Sequence, residues 1–144
     1  ADFRLRALGF VFQAYNLIPV LSAVENVEYP LVLQGVGPGE RRRAAQEALS
    51  WVGLESYGDR RPDLLSGGQQ QRVAVARAIV HRPALVLADE PTANLDSKTG
   101  GALLDLMQTL NKDHGVTFLF SSHDPAVLSR ARRVVHLVDG ELLQ

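Results

Sequence analysis

Several short clusters in this chain carry side chains suited to handling a phosphate. Asp89 and Glu90 are adjacent acids closing the apolar run "ALVLADEP". At the carboxyl end of a buried strand, where ligands of open α/β sheets gather, an Asp can hold hydrated Mg²⁺. A neighbouring Glu can orient or deprotonate a water for in-line attack on a phosphate. The pair is equally compatible with a plain helix cap after a strand. Ser66, Gly67 and Gly68 open "SGGQQQRVAVARA". There, glycine N–H groups, a hydroxyl and the positive end of a helix favour an anion, although a simple Ser N-cap gives the same letters. Gln13 follows "FVF" and His123 follows "FLFSS". At a strand end either can hydrogen-bond a transferring group or its metal-bound water; singly, each reads as a surface residue.

The elements that must position these groups follow from pattern. "LGFVFQ" (8–13) reads as a strand ending in a loop at Gln13. Ser22 and Glu25 make a capping-box pattern for a helix through "AVENVEYPLVLQ", which Pro30 should end or kink. Glycines around Pro38 mark a break, and "PGERRRAAQEALSWV" (38–52) predicts a second helix. A third begins near Ser66 and closes at Arg82 and Pro83. "ALVLADEP" predicts a strand buried on both faces in a parallel sheet. A helix from Ser97 to about Asp113 and a strand "VTFLFSS" ending at His123 come next. Asp124 and Pro125 then cap and start a short helix, and "RVVHLVDGELLQ" predicts a terminal hairpin turning at Asp139 and Gly140. The alternation from residue 84 onward gives an α/β class, preceded by a mainly helical insert.

Composition bounds the rest. The 144 residues suffice for one domain with a core. At 46% hydrophobic, 22% charged and a net charge of −1, the chain lacks the basic footprint of a nucleic-acid binder. Without cysteine it has neither disulfides nor thiolate metal sites, as suits the cytosol. Its apolar runs are far shorter than a membrane-spanning helix and its start lacks a signal-peptide pattern, so a membrane role runs through a partner. Arg41, Arg42 and Arg43, beside Glu40 and Glu47, read as a solvated helix face. His81, His114 and His136 share no metal-ligand spacing. Ser121 to Asp124 hold the letters of a hydrolase triad, but sequence neighbours cannot converge as one. Trp51 reads as a core or interface aromatic at a helix end.

In order, Gln13, "LSGGQ" (65–69), "LVLADEP" (85–91), "NLD" (94–96) and "SSHD" (121–124) closely resemble the ATP-binding-cassette ATPases that drive ABC transporters. The resemblance covers essentially the whole chain. It implies a P-loop NTPase-like α/β core, a partial parallel sheet with flanking helices, and a helical signature subdomain. The core strand and Q-loop would occupy 1–13, the helical subdomain 14–82, and the α/β core with Walker B, D-loop and H-loop 83–144. Gln13 would be the Q-loop residue that touches Mg²⁺ and relays closure to the membrane subunit. Asp89 would be the Walker B magnesium residue, Glu90 the catalytic base and His123 the switch residue at the γ-phosphate. Asp96 would belong to the D-loop joining two active sites across a dimer. Ser66, Gly67, Gly68 and Gln69 would form the signature, which acts on ATP held by the opposite subunit. The implied cofactors are ATP and Mg²⁺. The implied partners are a second cassette in a head-to-tail dimer and transmembrane permease subunits, with no nucleic acid, placing the chain in the cytoplasm on the inner face of the membrane.

The family's phosphate cradle, a glycine-rich loop ending Gly-Lys-Ser/Thr, is not among these residues. Lys98 precedes Thr99 but follows Ser97 where a glycine is required, and Lys112 precedes Asp113. The expectation is an N-terminally truncated cassette, missing its first strands and P-loop, that cannot bind ATP normally by itself and exposes an unpaired sheet edge and apolar surface. "FVFQAYNLIPVLSAVENVEYPL" resembles the cassettes of lipoprotein-release, macrolide-export and cell-division-type complexes, with Tyr15, Asn16 and Leu17 where the family docks a coupling helix. The alternative is a naturally shortened, non-catalytic cassette that pairs with a complete subunit. A DNA-repair cassette is disfavoured by the near-neutral charge and the absence of coiled-coil heptads or zinc cysteines.

Overall fold

The computed structural model describes residues 7–143. The expected segment bounds at residues 1 and 144 lie outside the described residues. Most helices begin where the sequence offers a cap. Ser22 Oγ accepts from the Glu25 N–H and the Glu25 carboxylate accepts from the Ser22 N–H, opening α1 (Ala23–Leu33). Pro38 occupies the first turn of α2 (Pro38–Trp51). After a 3₁₀ turn at Pro62–Leu64, Ser66 and Gln69 repeat the capping box at α3 (Gly67–Ile79). Asp96 caps α4 (Ser97–His114), which stops at left-handed Gly115. Asp124 and Pro125 open α5 (Pro125–Arg130) as expected. Pro30, by contrast, does not end α1. The helix continues to Leu33, because buried Val27 and Leu31 on either side hold it against its neighbours despite the missing N–H.

Strands β1 (Leu8–Val11), β2 (Leu85–Asp89) and β3 (Phe118–Ser121) form a parallel sheet in that order. Val11 lies opposite Ala88, and Asp89 opposite Ser121. A separate antiparallel hairpin pairs β4 (His136–Val138) with β5 (Glu141–Leu143). Its turn residues Asp139 and Gly140 both have positive φ, as a two-residue hairpin turn demands.

The two faces of the three-stranded sheet differ. On the inner face Gly9, Val11, Val86 and Ala88 are buried. A Cβ on Gly9 would stand 2.1 Å from the Ala78 carbonyl oxygen, so glycine there lets the α3 backbone rest directly on β1. On the outer face Leu85 and Leu87 are half-buried and Leu119 is 57% exposed. The strand expected to be buried on both faces is thus closed on one. The helices pack over its inner residues and leave the outer ones accessible among the described residues.

Helix α3 is the hub, with Val73, Ala74, Val75, Ala76, Ala78 and Ile79 buried, and α1, α2 and β1 packed on it. Its alanines let those neighbours approach closely. Buried Glu28 on α1 is held by Arg41 and Arg42 of α2. Two of the three arginines expected on a solvated face are therefore paired across helices, because a buried carboxylate must find donors. Trp51 at the end of α2 stacks on His114 at the end of α4, with ring centroids 4.1 Å apart, in keeping with an interface aromatic. Among the described residues no helix is long and apolar enough to cross a membrane.

Candidate functional site

The expected chemistry gathers at the carboxyl ends of the parallel strands. Asp89 is the last residue of β2, exposed, and its carboxylate has no hydrogen bond or ion pair among the described residues. Glu90 then turns sharply, with φ 45°, while its N–H donates to the Ser121 carbonyl at 2.8 Å. A left-handed non-glycine residue costs ~1–3 kcal/mol and is held by its surroundings. Here the turn points the Glu90 carboxylate at the loop after β3. The Ser122 hydroxyl donates to Oε2 at 3.1 Å and the His123 N–H to Oε1 at 3.0 Å. His123 Nδ1 lies 3.2 Å from the same Oε1. The His123 ring is otherwise exposed to solvent. A second rung ties the same loops: Asp124 N–H donates to Ser122 Oγ at 3.0 Å, and Thr92 Oγ1 donates to Asp124 at 3.2 Å. Beside this edge lies an open trough of about 790 Å³, lined by Leu87, Leu119, Val135 and Leu137 and ending at Asp89 and His123.

Gln13 lies two residues beyond Val11 on β1, as Glu90 lies two beyond Ala88, so both leave the sheet at one edge. Its side chain is exposed, and its carbonyl accepts from Asn94 Nδ2 at 3.0 Å. Asp96 accepts from the Thr99 N–H at 3.2 Å. Hydrogen bonds from the Thr99 side chain and then its N–H hold the Asp96 carboxyl below its ordinary value.

The Ser-Gly-Gly turn is organised differently. Ser66 Oγ accepts from the Gln69 N–H at 3.1 Å, and the Gln69 side chain accepts from the Ser66 N–H at 3.0 Å. The Ser66 hydroxyl proton stays available for an outside acceptor, and Ser66 and Gly67 are exposed. The glycines also serve packing. A Cβ on Gly67 would meet the Tyr15 hydroxyl at 3.1 Å, and one on Gly68 would meet Thr99 Cγ2 at 2.5 Å. The turn therefore touches both the loop after Gln13 and the first turn of α4. Among the described residues no hydrogen bond or ion pair joins Ser66 to Gln69 with Asp89, Glu90 or His123. The structure thus pairs Glu90 with His123 and keeps the glycine turn apart.

Sequence reasoning missed the ties. Ser122, Thr92 and Asn94 bind partners that are remote in the chain, and Arg77 donates to the Tyr15 and Asn16 carbonyls at 3.0 and 2.8 Å. Burial pulls the Arg77 guanidinium below its ordinary value. The available signal was an arginine and a glutamine on the apolar side of the "QQQRVAVARA" helix.

The parallel sheet with its polar loops at one edge and the capped glycine turn on a neighbouring helix match the α/β ABC ATPase fold of solved ATP-binding cassettes. A family profile described as ABC transporter matches residues 2–93, and the chain belongs to that family. It is 49% identical over 142 residues to the ABC transporter ATP-binding protein YtrE of Bacillus subtilis, a match covering 99% of this chain and 62% of YtrE. Identity to the macrolide export ATP-binding/permease protein MacB of Syntrophobacter fumaroxidans is also 49% over 142 residues, covering 97% of this chain and 20% of MacB. Among solved structures, the dimeric post-hydrolysis state of the MJ0796 cassette of Methanocaldococcus jannaschii, bound to ADP and Pi, matches with a TM-score of 0.83 at 44% identity. That match covers 99% of this chain and 63% of the other. The chain spans about 62% of the length of YtrE.

Proposed function

We propose that these residues belong to the ATP-binding and ATP-hydrolysing subunit of an ABC transporter, which couples hydrolysis to movement of a substrate by membrane partner subunits. The observation that carries this reading is the Glu90–His123 pair beside the uncommitted Asp89 carboxylate at one sheet edge. Glu90 is the general base for the attacking water. Its Oε2 carries only the Ser122 bond and keeps a lone pair for that proton, while the His123 ring, 98% exposed, is free to swing toward the γ-phosphate. Asp89, with the Gln13 side-chain oxygen, fits Mg²⁺, a hard cation that takes one or two carboxylates and leaves its other positions to waters and substrate phosphates. Once bound, Mg²⁺ supplies charge neutralisation at the β- and γ-phosphates.

Of Ser66, Gly67, Gly68 and Gln69, the first two are exposed, and none shares a hydrogen bond with Asp89, Glu90 or His123 among the described residues. That supports an action on ATP held by a second cassette in a head-to-tail dimer, with Asp96 in the loop between the two sites. The dimeric MJ0796 structure is in line with this. An apolar groove of about 590 Å³ flanks the Gln13 loop, lined by Phe12, Asn16, Ile18, Tyr29, Pro30 and Leu33. Its place supports docking of a permease's coupling helix, which keeps the subunit on the cytoplasmic face of the membrane. MacB's name supports an export role. The division into a core segment, a helical subdomain over 14–82 and an α/β core from 83 fits the run of α1 to α3 between β1 and β2.

The test is Glu90→Gln in the full-length protein. ATP turnover falls by ~10²–10⁴-fold while ATP binding persists. Unchanged turnover removes Glu90 from the base role. A second reading is a non-catalytic cassette partnering a complete one. It is supported if the 144-residue chain co-purifies with an intact cassette and that pair binds ATP at a single site.

A further inference from the structure

One side chain ties together the two loops that carry Gln13 and Glu90. Gln71, on the second turn of α3, is fully buried. Its Nε2 donates to the Phe12 carbonyl at 3.2 Å and to the Pro91 carbonyl at 2.7 Å. Phe12 immediately precedes Gln13, and Pro91 immediately follows Glu90. Two carbonyl acceptors on one end of the carboxamide fix that end as nitrogen. The other end, Oε1, is buried with no partner among the described residues, a cost that an apolar side chain of the same volume would avoid. An amide retained there despite its orphaned oxygen points to a use for its two N–H donors.

We propose that Gln71 is a positioning residue that sets Gln13 and Glu90 relative to one another and hangs both on the helix that begins with the Ser-Gly-Gly turn. The inference rests on the function proposed above. The same helix grips the Gln13 loop again further along, where Arg77 holds the Tyr15 and Asn16 carbonyls. Tyr15 in turn stands over Gly67. A displacement of the start of α3 is thereby carried to the ends of both β1 and β2. The residue type is specific. An ionised Glu has no donor to offer, Met fills the volume without donating, and Asn is one methylene short.

The experiment compares the wild-type chain with Gln71→Met. In the wild type, side-chain amide NMR shows the Gln71 carboxamide protons exchanging far more slowly than exposed glutamines. In Gln71→Met, exchange at the Ala93 and Leu95 amides, which donate to the Glu90 and Thr92 carbonyls, rises ~10-fold or more, while Leu104 to Leu110 on α4 keep their protection. In the full-length protein the same substitution lowers kcat by ~10–100-fold with the ATP Kd unchanged. Solvent-rate exchange of the Gln71 amide overturns the proposal. So does unaltered exchange in Gln71→Met, or an equal rise throughout α4, which marks a residue that merely packs. If the variant does not fold, the wild-type amide measurement decides. Failure of the Glu90 assignment shows separately, as unchanged turnover in Glu90→Gln with the exchange pattern intact.

Discussion

The two faces of the parallel sheet are built from the same strands and meet opposite fates. Inward, Gly9, Val11, Val86 and Ala88 are buried, with Phe118 and Phe120 of β3 beside them on the same face and packed against the core. Outward, Leu85, Leu87 and Leu119 are less covered. What separates the faces is the layer of helices over one of them. Gly9 lets a helix backbone settle on the sheet, and that helix carries the Ser-Gly-Gly turn at its start. The seating of α3 on β1 thus fixes the distance between the glycine turn and the strand-end carboxylates.

The comparison breaks most severely at Gly9. In Gly9→Ala the new methyl meets the Ala78 carbonyl, a backbone atom that cannot rotate aside, so the α3–β1 seam must open. We expect a loss at the upper end of the ~1–3 kcal/mol typical of overpacking, read as a lowered urea midpoint. An unchanged midpoint would mean that α3 does not rest on β1.

The polar end of the same seam gives a smaller, pH-dependent effect. His81 Nε2 donates to the Leu8 carbonyl at 2.8 Å, while Nδ1 is buried without a partner among the described residues. Burial holds the His81 imidazole below its ordinary value, the Leu8 hydrogen bond opposing only in part. The unfolded chain therefore binds this proton more readily than the folded one. Stability from the seam is full above the usual histidine value of about 6.5 and is lost progressively as pH falls below it. Urea midpoints measured across that window should slope downward toward acid in the wild type and less steeply in His81→Gln. Equal slopes would release His81 from this role.

The smallest stability effect belongs to the outer face. Leu119→Ser should change the unfolding free energy by no more than ~0.5 kcal/mol, read from urea titration, since the side chain is mostly in water already. It should, however, reduce self-association in light scattering, because Leu119 lies beside exposed Val135 and Leu137 in one apolar trough. A large loss of stability instead would show the outer face to be covered.

Legibility in the sequence tracked distance along the chain. The capping box at Ser22, the helix start at Ser66, the Asp124–Pro125 helix start and the Asp139–Gly140 turn each depend on residues within three positions, and all were readable. Asp89, Glu90, Gln13 and His123 were readable as polar types at strand ends. Their mutual geometry was not, because the bonds that set it span 32 and 33 residues from Glu90 to Ser122 and His123, and 59 from Gln71 to Phe12. Pro30 within α1 and the Glu28 pairing with Arg41 and Arg42 escaped for the same reason. Each is decided by a neighbouring helix and not by local propensity.

The stack of Trp51 on His114 has a spectroscopic consequence. It is the sole tryptophan of the chain, and it bridges the ends of α2 and α4. An indole in contact with an imidazole loses emission when the imidazole is protonated, and regains it when the rings part. The chain thus holds a built-in optical gauge at the joint between the helix hairpin and the sheet layer, readable without any label.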